Sequence, residues 1–234
     1  MNRSELLART GCLTVIRPPA PPVKPAPGQP GSLSSYVPAL PEVFVAILDD
    51  GRILAFNGHV DLGTGIRTSL AQIVAEELDV PAARVTMVLG DTAATPNQGP
   101  TIASATIQIS AAPLRCAAAQ ARHALLALAA ERFGVDVERL NIDDGSISAD
   151  GQAVTFAALV AARRIALTLD LNTRTKDPRT TGSSAARRRA STCPRRRPAS
   201  SRSCTTCACR ACCTAASSGR RMRATTAARS SARR

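Results

Sequence analysis

The stretch "NGHVDLGTGIRTSLAQIVAEELDVPAARVTMVLGD", residues 57–91, decides the fold, because it moves from a turn through a helix into a strand within one reading. Leu70, Ile73, Val74 and Leu78 recur at helical spacing, and Val80-Pro81 closes the run. Ser69 and Gln72 have the spacing of a capping box, which predicts a side-chain cap near the start of that helix. Arg84 to Leu89 then alternates as a strand does. Gly63-Thr64-Gly65 sits just before the helix. Glycines there let a backbone approach an anion and present helix-terminal N–H groups to it. The same pattern also suits a plain strand-to-helix turn, and both readings stay open at this level.

Upstream, Val43–Leu48 and Arg52–Phe56 flank Asp50-Gly51, a hairpin turn signal. Residues 18–41 are Pro-rich, so residues 1–41 read as an N-terminal arm or linker, with order beginning at the strand that follows. Downstream, the turn-rich "DTAATPNQGPT" leads into an alanine-rich run from Ala103 to Phe133, a long helix that Pro113 kinks or restarts. Strand-like pieces at Val137–Ile142 and Ser146–Ser148 surround Asp144-Gly145, and "TFAALVAARR" reads as a short amphipathic helix. Helices and strands mix without a regular βαβ rhythm, so the expected class is α+β.

The charge is divided along the chain. Residues 1–178 hold 15 Lys and Arg against all 17 acidic residues, whereas 179–234 hold 15 Arg and no acid. After Leu171 there is no Leu, Ile, Val, Phe, Tyr or Trp. A segment of that composition cannot bury enough apolar surface to offset the entropy of ordering it, so 179–234 is expected to be a disordered tail. No apolar run approaches the roughly 20 residues of a membrane span, and the two cysteines outside the tail, Cys12 and Cys116, give no disulfide framework. His59 and His123 show no metal-ligand spacing, and Cys116 reads as a small packed side chain, so neither catalytic nor metal residues are assigned.

On "NGHVDLGTGIRTSLAQIVAEEL-VP", "GDT" and "PNQGPTIASATIQ", the chain resembles the molybdopterin-binding part of molybdenum hydroxylase large subunits, the xanthine dehydrogenase and aldehyde oxidase family, over about residues 41–178. Within that family it looks most like the isoquinoline 1-oxidoreductase beta and nicotinate dehydrogenase large-subunit types. The resemblance implies a fragment, residues 42–178, of the domain that holds molybdenum–molybdopterin, expected as the cytosine dinucleotide. It also implies a small [2Fe–2S] partner subunit, a cytochrome c subunit as a further partner, and hydroxylation of N-heterocycles or aldehydes with water. The expected location is cytoplasmic, with the periplasmic face open to the parent complex. Gly63, Thr64, Gly65 and Thr68 fall on the cofactor loop, where Thr64 replaces the family's glutamine, and Thr101, Ser104 and Thr106 fall on its phosphate-binding hydroxyls. The family's catalytic Glu lies in a later Gly-Val-Gly-Glu motif that this text does not contain, which implies that the chain is inactive alone.

The cysteines of "SCTTCACRACC", residues 203–213, have three readings: a metal site, part of a basic tail that grips nucleic acid, or a shifted reading frame. The first two make a non-enzymatic basic protein the competing function. Composition favours the third, because every tail residue but Met222 is Arg, Ala, Ser, Thr, Cys, Gly or Pro, types whose codons carry G or C in the middle. With plausible third codon bases, a one-base shift turns Cys204 to Thr214 into Val-His-Asp-Val-Arg-Val-Pro-Gly-Met-Leu-His, which resembles the family's continuation. No aromatic is available in the tail to stack on bases, so no nucleic-acid partner is expected.

Overall fold

The computed structural model describes residues 1–19 and 38–177. The Pro-rich stretch 20–37 and everything from Pro178 onward lie outside the described residues, and with them the expectations of an extended arm, a disordered tail and a cysteine cluster.

A mixed five-stranded sheet is built from β1 (Cys12–Arg17), β2 (Glu42–Leu48), β3 (Ile53–Asn57), β4 (Val85–Leu89) and β8 (Arg164–Thr168), in the order β4-β3-β2-β1-β8. The central pairs β1–β2 and β2–β3 are antiparallel, while β3–β4 and β1–β8 are parallel. Both faces of the sheet are covered. Along β3 the alternation is simple: Ile53 and Ala55 join the core with α2 (Ile66–Leu78) and α3 (Ala111–Phe133), whereas Leu54 and Phe56 face a smaller core with Leu6 and Ala94. In β2 the alternation is broken by a bulge. Val15 pairs with Val45 and Ile16 with Val43, so Phe44 is the extra residue and turns to the helix side with Val45 and Ile47.

Three further strands, β5 (Asn141–Asp143), β6 (Ser146–Ala149) and β7 (Gln152–Thr155), form a separate antiparallel meander. Its turns are Asp144-Gly145 and Asp150-Gly151, all four residues at positive φ, as a two-residue hairpin of that hand requires. The helix α4 (Phe156–Val160) follows, capped by the Thr155 hydroxyl, which accepts from Ala158 N at 3.2 Å.

The mixed α+β class holds, and several elements depart from the sequence reading in their presence, bounds or capping. Order begins at the N-terminus: α1 (Arg3–Ala8) carries a full capping box between Asn2 and Glu5, and β1 is an internal strand of the sheet, between β2 and β8. Both partners of β1 are remote in the chain, so no local pattern announces it. β8 had no signal in the sequence reading, and the expected helix through Arg164 ends early, with α4 stopping at Val160 and Ala162 at positive φ. β7 had no separate signal in that reading. The expected Ser69/Gln72 capping box does not form, since the N-cap of α2 is Gly65 without a side-chain cap. Finally, the long helix starts at Ala111, after a π-type turn over Thr106–Ser110. Pro113 lies three residues into α3, directly after that π-type turn, so the helical winding is continuous from Thr106 and changes its pitch next to the proline.

Candidate functional site

The site grows from the parallel pair β3–β4. Asn57 pairs with Leu89 at the ends of the two strands, so the loops that follow them leave the sheet at the same edge. Gly90 N donates to Asn57 O at 3.1 Å and holds that edge together. In open α/β sheets this carboxyl edge of parallel strands is where ligands bind.

The loop after β4, residues 90–105, is fastened from below. Arg3 donates to Thr95 O, and the fully buried Glu42 takes an ion pair from Arg17 and a hydrogen bond from Asn97 N. The Arg17 guanidinium also lies 5.7 Å from the Phe44 ring centroid. Burying a carboxylate is costly unless it is paired and hydrogen-bonded, and here its partners anchor a loop.

The loop after β3 is threaded against the first one by a dense set of polar bonds. Gly58 N donates to Gln98 Oε1 at 2.8 Å, and Val60 N donates to Thr101 Oγ1 at 2.9 Å. His59 is 1% exposed. Its Nε2–H donates to Gln98 O at 3.2 Å, and its Nδ1 lies 2.7 Å from Thr106 Oγ1. Ser110 Oγ stands 3.4 Å from the same Nε2, and Asn57 Oδ1 accepts from His59 N at 3.0 Å. Two glycines permit the contact: a Cβ on Gly58 would lie 2.2 Å from Pro96 O, and one on Gly90 would lie 2.3 Å from Val60 Cγ1.

The glycine loop itself is closed over Asp61. Its carboxylate accepts from Gly63 N at 3.0 Å, Gly65 N at 3.3 Å and Arg67 N at 3.2 Å. Partial burial works against the charge, but the N–H groups of Arg67, Gly63, Gly65 and Thr64 together outweigh it and hold the carboxyl below its ordinary range. The N–H groups expected to face an external anion therefore face this side chain instead. Gly63 and Gly65 both have positive φ, and a Cβ on Gly63 would meet nothing within 4 Å, so the outer side of the loop is open.

The sequence-assigned residues thus divide. Gly63 and Thr64 are exposed on the loop, Gly65 is the buried helix cap, and Thr68 lies half-buried in the first turn of α2. Thr101 accepts from Val60 while its O–H can still donate outward. Ser104 is exposed and follows Ala103, both at positive φ, a strained pair immediately before the π-type turn. Thr106 is 7% exposed and its hydroxyl is engaged by His59, so the structure gives it an internal role. Asp61 was passed over in the sequence reading, and His59 was weighed there only as a metal ligand. Asp61 stands two residues before Gly63, the spacing of a side-chain-closed turn, and that signal was available.

What faces outward is a set of hydroxyls and backbone groups flanked by the exposed apolar side chains Val60, Leu62, Ile102 and Ile107. This donor set fits the edge of a flat organic heterocycle, which needs hydrogen bonds at its rim and apolar contact at its faces.

Comparison with known proteins gives this geometry its class. Residues 25–218 match the family model of the molybdopterin cofactor-binding domain, and the chain belongs to that family. It is 55% identical over 164 residues to a nicotinate dehydrogenase component of Pseudomonas putida, covering 69% of this chain and 14% of that protein. It is 33% identical over 144 residues to the beta chain of isoquinoline 1-oxidoreductase from Brevundimonas diminuta, covering 57% of this chain and 18% of that protein. Among solved structures, quinoline 2-oxidoreductase from Pseudomonas putida 86 aligns at 29% identity with a TM-score of 0.43, over 50% of this chain and 15% of that one. The chain therefore spans less than a fifth of the length of each of these relatives.

Proposed function

We propose that this chain supplies one wall of the pterin cradle in the large subunit of a molybdenum hydroxylase acting on an N-heterocycle or an aldehyde. The observation that carries the proposal is the pair of loops, 57–65 and 98–106, wired together at the carboxyl edge of two parallel strands within a chain of the molybdopterin-binding family. Two relatives are named for N-heterocycles, nicotinate and isoquinoline, which favours that substrate class over aldehydes. When bound, the molybdenum–pterin group, in this reading the cytosine dinucleotide, supplies hydroxylation of a carbon with oxygen from water.

The residues of this chain hold and orient. Thr64 and the open face of Gly63 would meet the group's edge, Thr101 and Ser104 would offer hydroxyls to it, and the exposed Leu62 and Ile102 would help exclude water. Thr68 and Gly65 set the start of α2 behind the loop, and Thr106 acts through His59. No residue of this chain is assigned the catalytic base. Electrons would leave through a small [2Fe–2S] subunit and onward to a cytochrome c subunit, in a complex placed in the cytoplasm or against the periplasmic face. The tail is read as out of frame from about Pro178, a reading supported by its composition and opposed by the family match reaching residue 218. Sequencing the coding DNA across residues 170–234 tests it: one inserted or deleted base that opens a long frame is the expected result.

The cradle is tested by expressing the 234-residue chain in a host that makes the cofactor and measuring the fluorescence of oxidised pterin released from the purified protein. Bound pterin is expected, with more retained by Thr64→Gln, which places a longer hydrogen-bonding side chain on the exposed loop. A chain that carries no pterin in either form would overturn the reading.

A further inference from the structure

Helix α2 should have been the obvious place for a phosphate. It is 13 residues long, a glycine loop precedes it, and the first N–H groups of any helix carry a partial positive charge of roughly half a unit. The structure puts something else there. The Asp61 carboxylate collects the N–H groups of Gly63, Gly65 and Arg67 at 3.0, 3.3 and 3.2 Å, and its charge is the one the helix dipole favours.

Two further features hold that carboxylate in place. Arg67 donates its guanidinium to Met87 O on β4, so the first turn of α2 is braced against the sheet from which the loop departs. On the other side, Val60 N is held by Thr101 Oγ1 and Val60 Cγ1 packs against Gly90, so the residue before Asp61 is fixed at both backbone and side chain. The loop between these clamps, Leu62 to Thr64, is exposed.

We propose that Asp61 is the resident anion of the α2 N-terminus, and that by filling this nest it makes loop 62–65 selective for a neutral hydrogen-bonding group and closed to phosphate. An incoming phosphate would find the converging N–H donors already engaged and a like charge behind them. A neutral ring edge meets no such repulsion and finds the Thr64 side chain and the open face of Gly63. Asp61 is thus a positioning residue, acting on the ligand through the shape and charge of the loop. The inference rests on the cradle reading for the identity of that neutral group, but not for the filled nest itself.

Amide hydrogen exchange on the full 234-residue chain tests it without any cofactor, with inorganic phosphate as the probe. In the wild type, the amides of residues 63–67 should exchange about tenfold or more slowly compared with Asp61→Ala, and added phosphate should leave them unchanged. In Asp61→Ala, phosphate should restore part of the lost protection. Asp61→Asn, which keeps an acceptor oxygen without the charge, should fall between the two and guards against a fold defect in the alanine variant. The amides of Val45 and Ile47 in β2 serve as the internal standard and should not change in any of the three proteins. Equal exchange in wild type and Asp61→Ala, or phosphate slowing the wild-type amides as much as those of the variant, overturns the proposal. A pterin-free chain that shows the expected exchange pattern defeats the cradle reading and leaves the filled nest standing.

Discussion

Ile47 on β2 and His59 just past the end of β3 stand twelve residues apart, both buried, and they are held by different physics. Around Ile47 every residue of β2 is buried and the neighbours are Val, Leu, Phe and Ala, so the strand is held by apolar surface removed from water. Around His59 the neighbours are Asn57, Gln98, Thr106 and Ser110, and the chain is held by individual hydrogen bonds of fixed direction. Packing tolerates exchange of one apolar side chain for another of like volume, whereas a buried polar network fails when any member is removed. The contrast suits the two tasks. A sheet has to be stable, while an edge that faces a ligand, as we propose for this one, has to keep a few groups within tenths of an ångström.

Substitutions sharpen that contrast in order of expected size. Phe44→Ala, at a residue 0% exposed in the bulge, should cost about 3–5 kcal/mol by denaturant unfolding. A cost under about 1 kcal/mol would mean that the bulge does not pack as described. Gly58→Ala should cost about 1–3 kcal/mol, because its Cβ would stand 2.2 Å from the Pro96 carbonyl oxygen and the two loops would have to part. Thermal melting reads this directly, and an unchanged melting temperature would break the claim of close approach.

Two smaller effects concern ionisation. The folded chain holds Asp61 below the ordinary carboxylate range, so its contribution is complete above the unfolded value near pH 3.9 and is lost as pH falls through the folded one. Protection of the amides of 63–67 should accordingly persist at pH 5 and decline only in stronger acid, ahead of the β2 amides. Burial pushes the Cys12 thiol up to about 11, with Arg9 nearby opposing that rise. Alkylation at pH 8, mapped by peptide mass, should modify Cys12 in the folded chain far more slowly than in denaturant. Equal rates would show that β1 is not a buried internal strand.

The same contrast explains what could be read from the sequence. The Asp50-Gly51 hairpin, α2 and most of α3 rest on spacing and turn chemistry within a short window, and all three were legible. β1 and β8 were not, since they pair in parallel between Cys12–Ile16 and Arg164–Thr168, a contact that no window of neighbouring residues contains. The loop 63–65 was legible as a turn before a helix, but the carboxylate closing it was not identified. His59 was weighed as a metal ligand, for which spacing is the criterion, and its real partners come from a loop some forty residues on. Directional bonds between remote residues leave little periodic trace, so the site end of the molecule was harder to read than its core.

A double-mutant cycle between His59 and Thr106 tests the central claim most directly, using His59→Ala, Thr106→Val and the pair in the full chain, with unfolding free energy as the readout. If loops 57–65 and 98–106 are one wired unit, the two changes should be non-additive by about 0.5–3 kcal/mol. Strict additivity would contradict the account, leaving two loops that merely lie side by side.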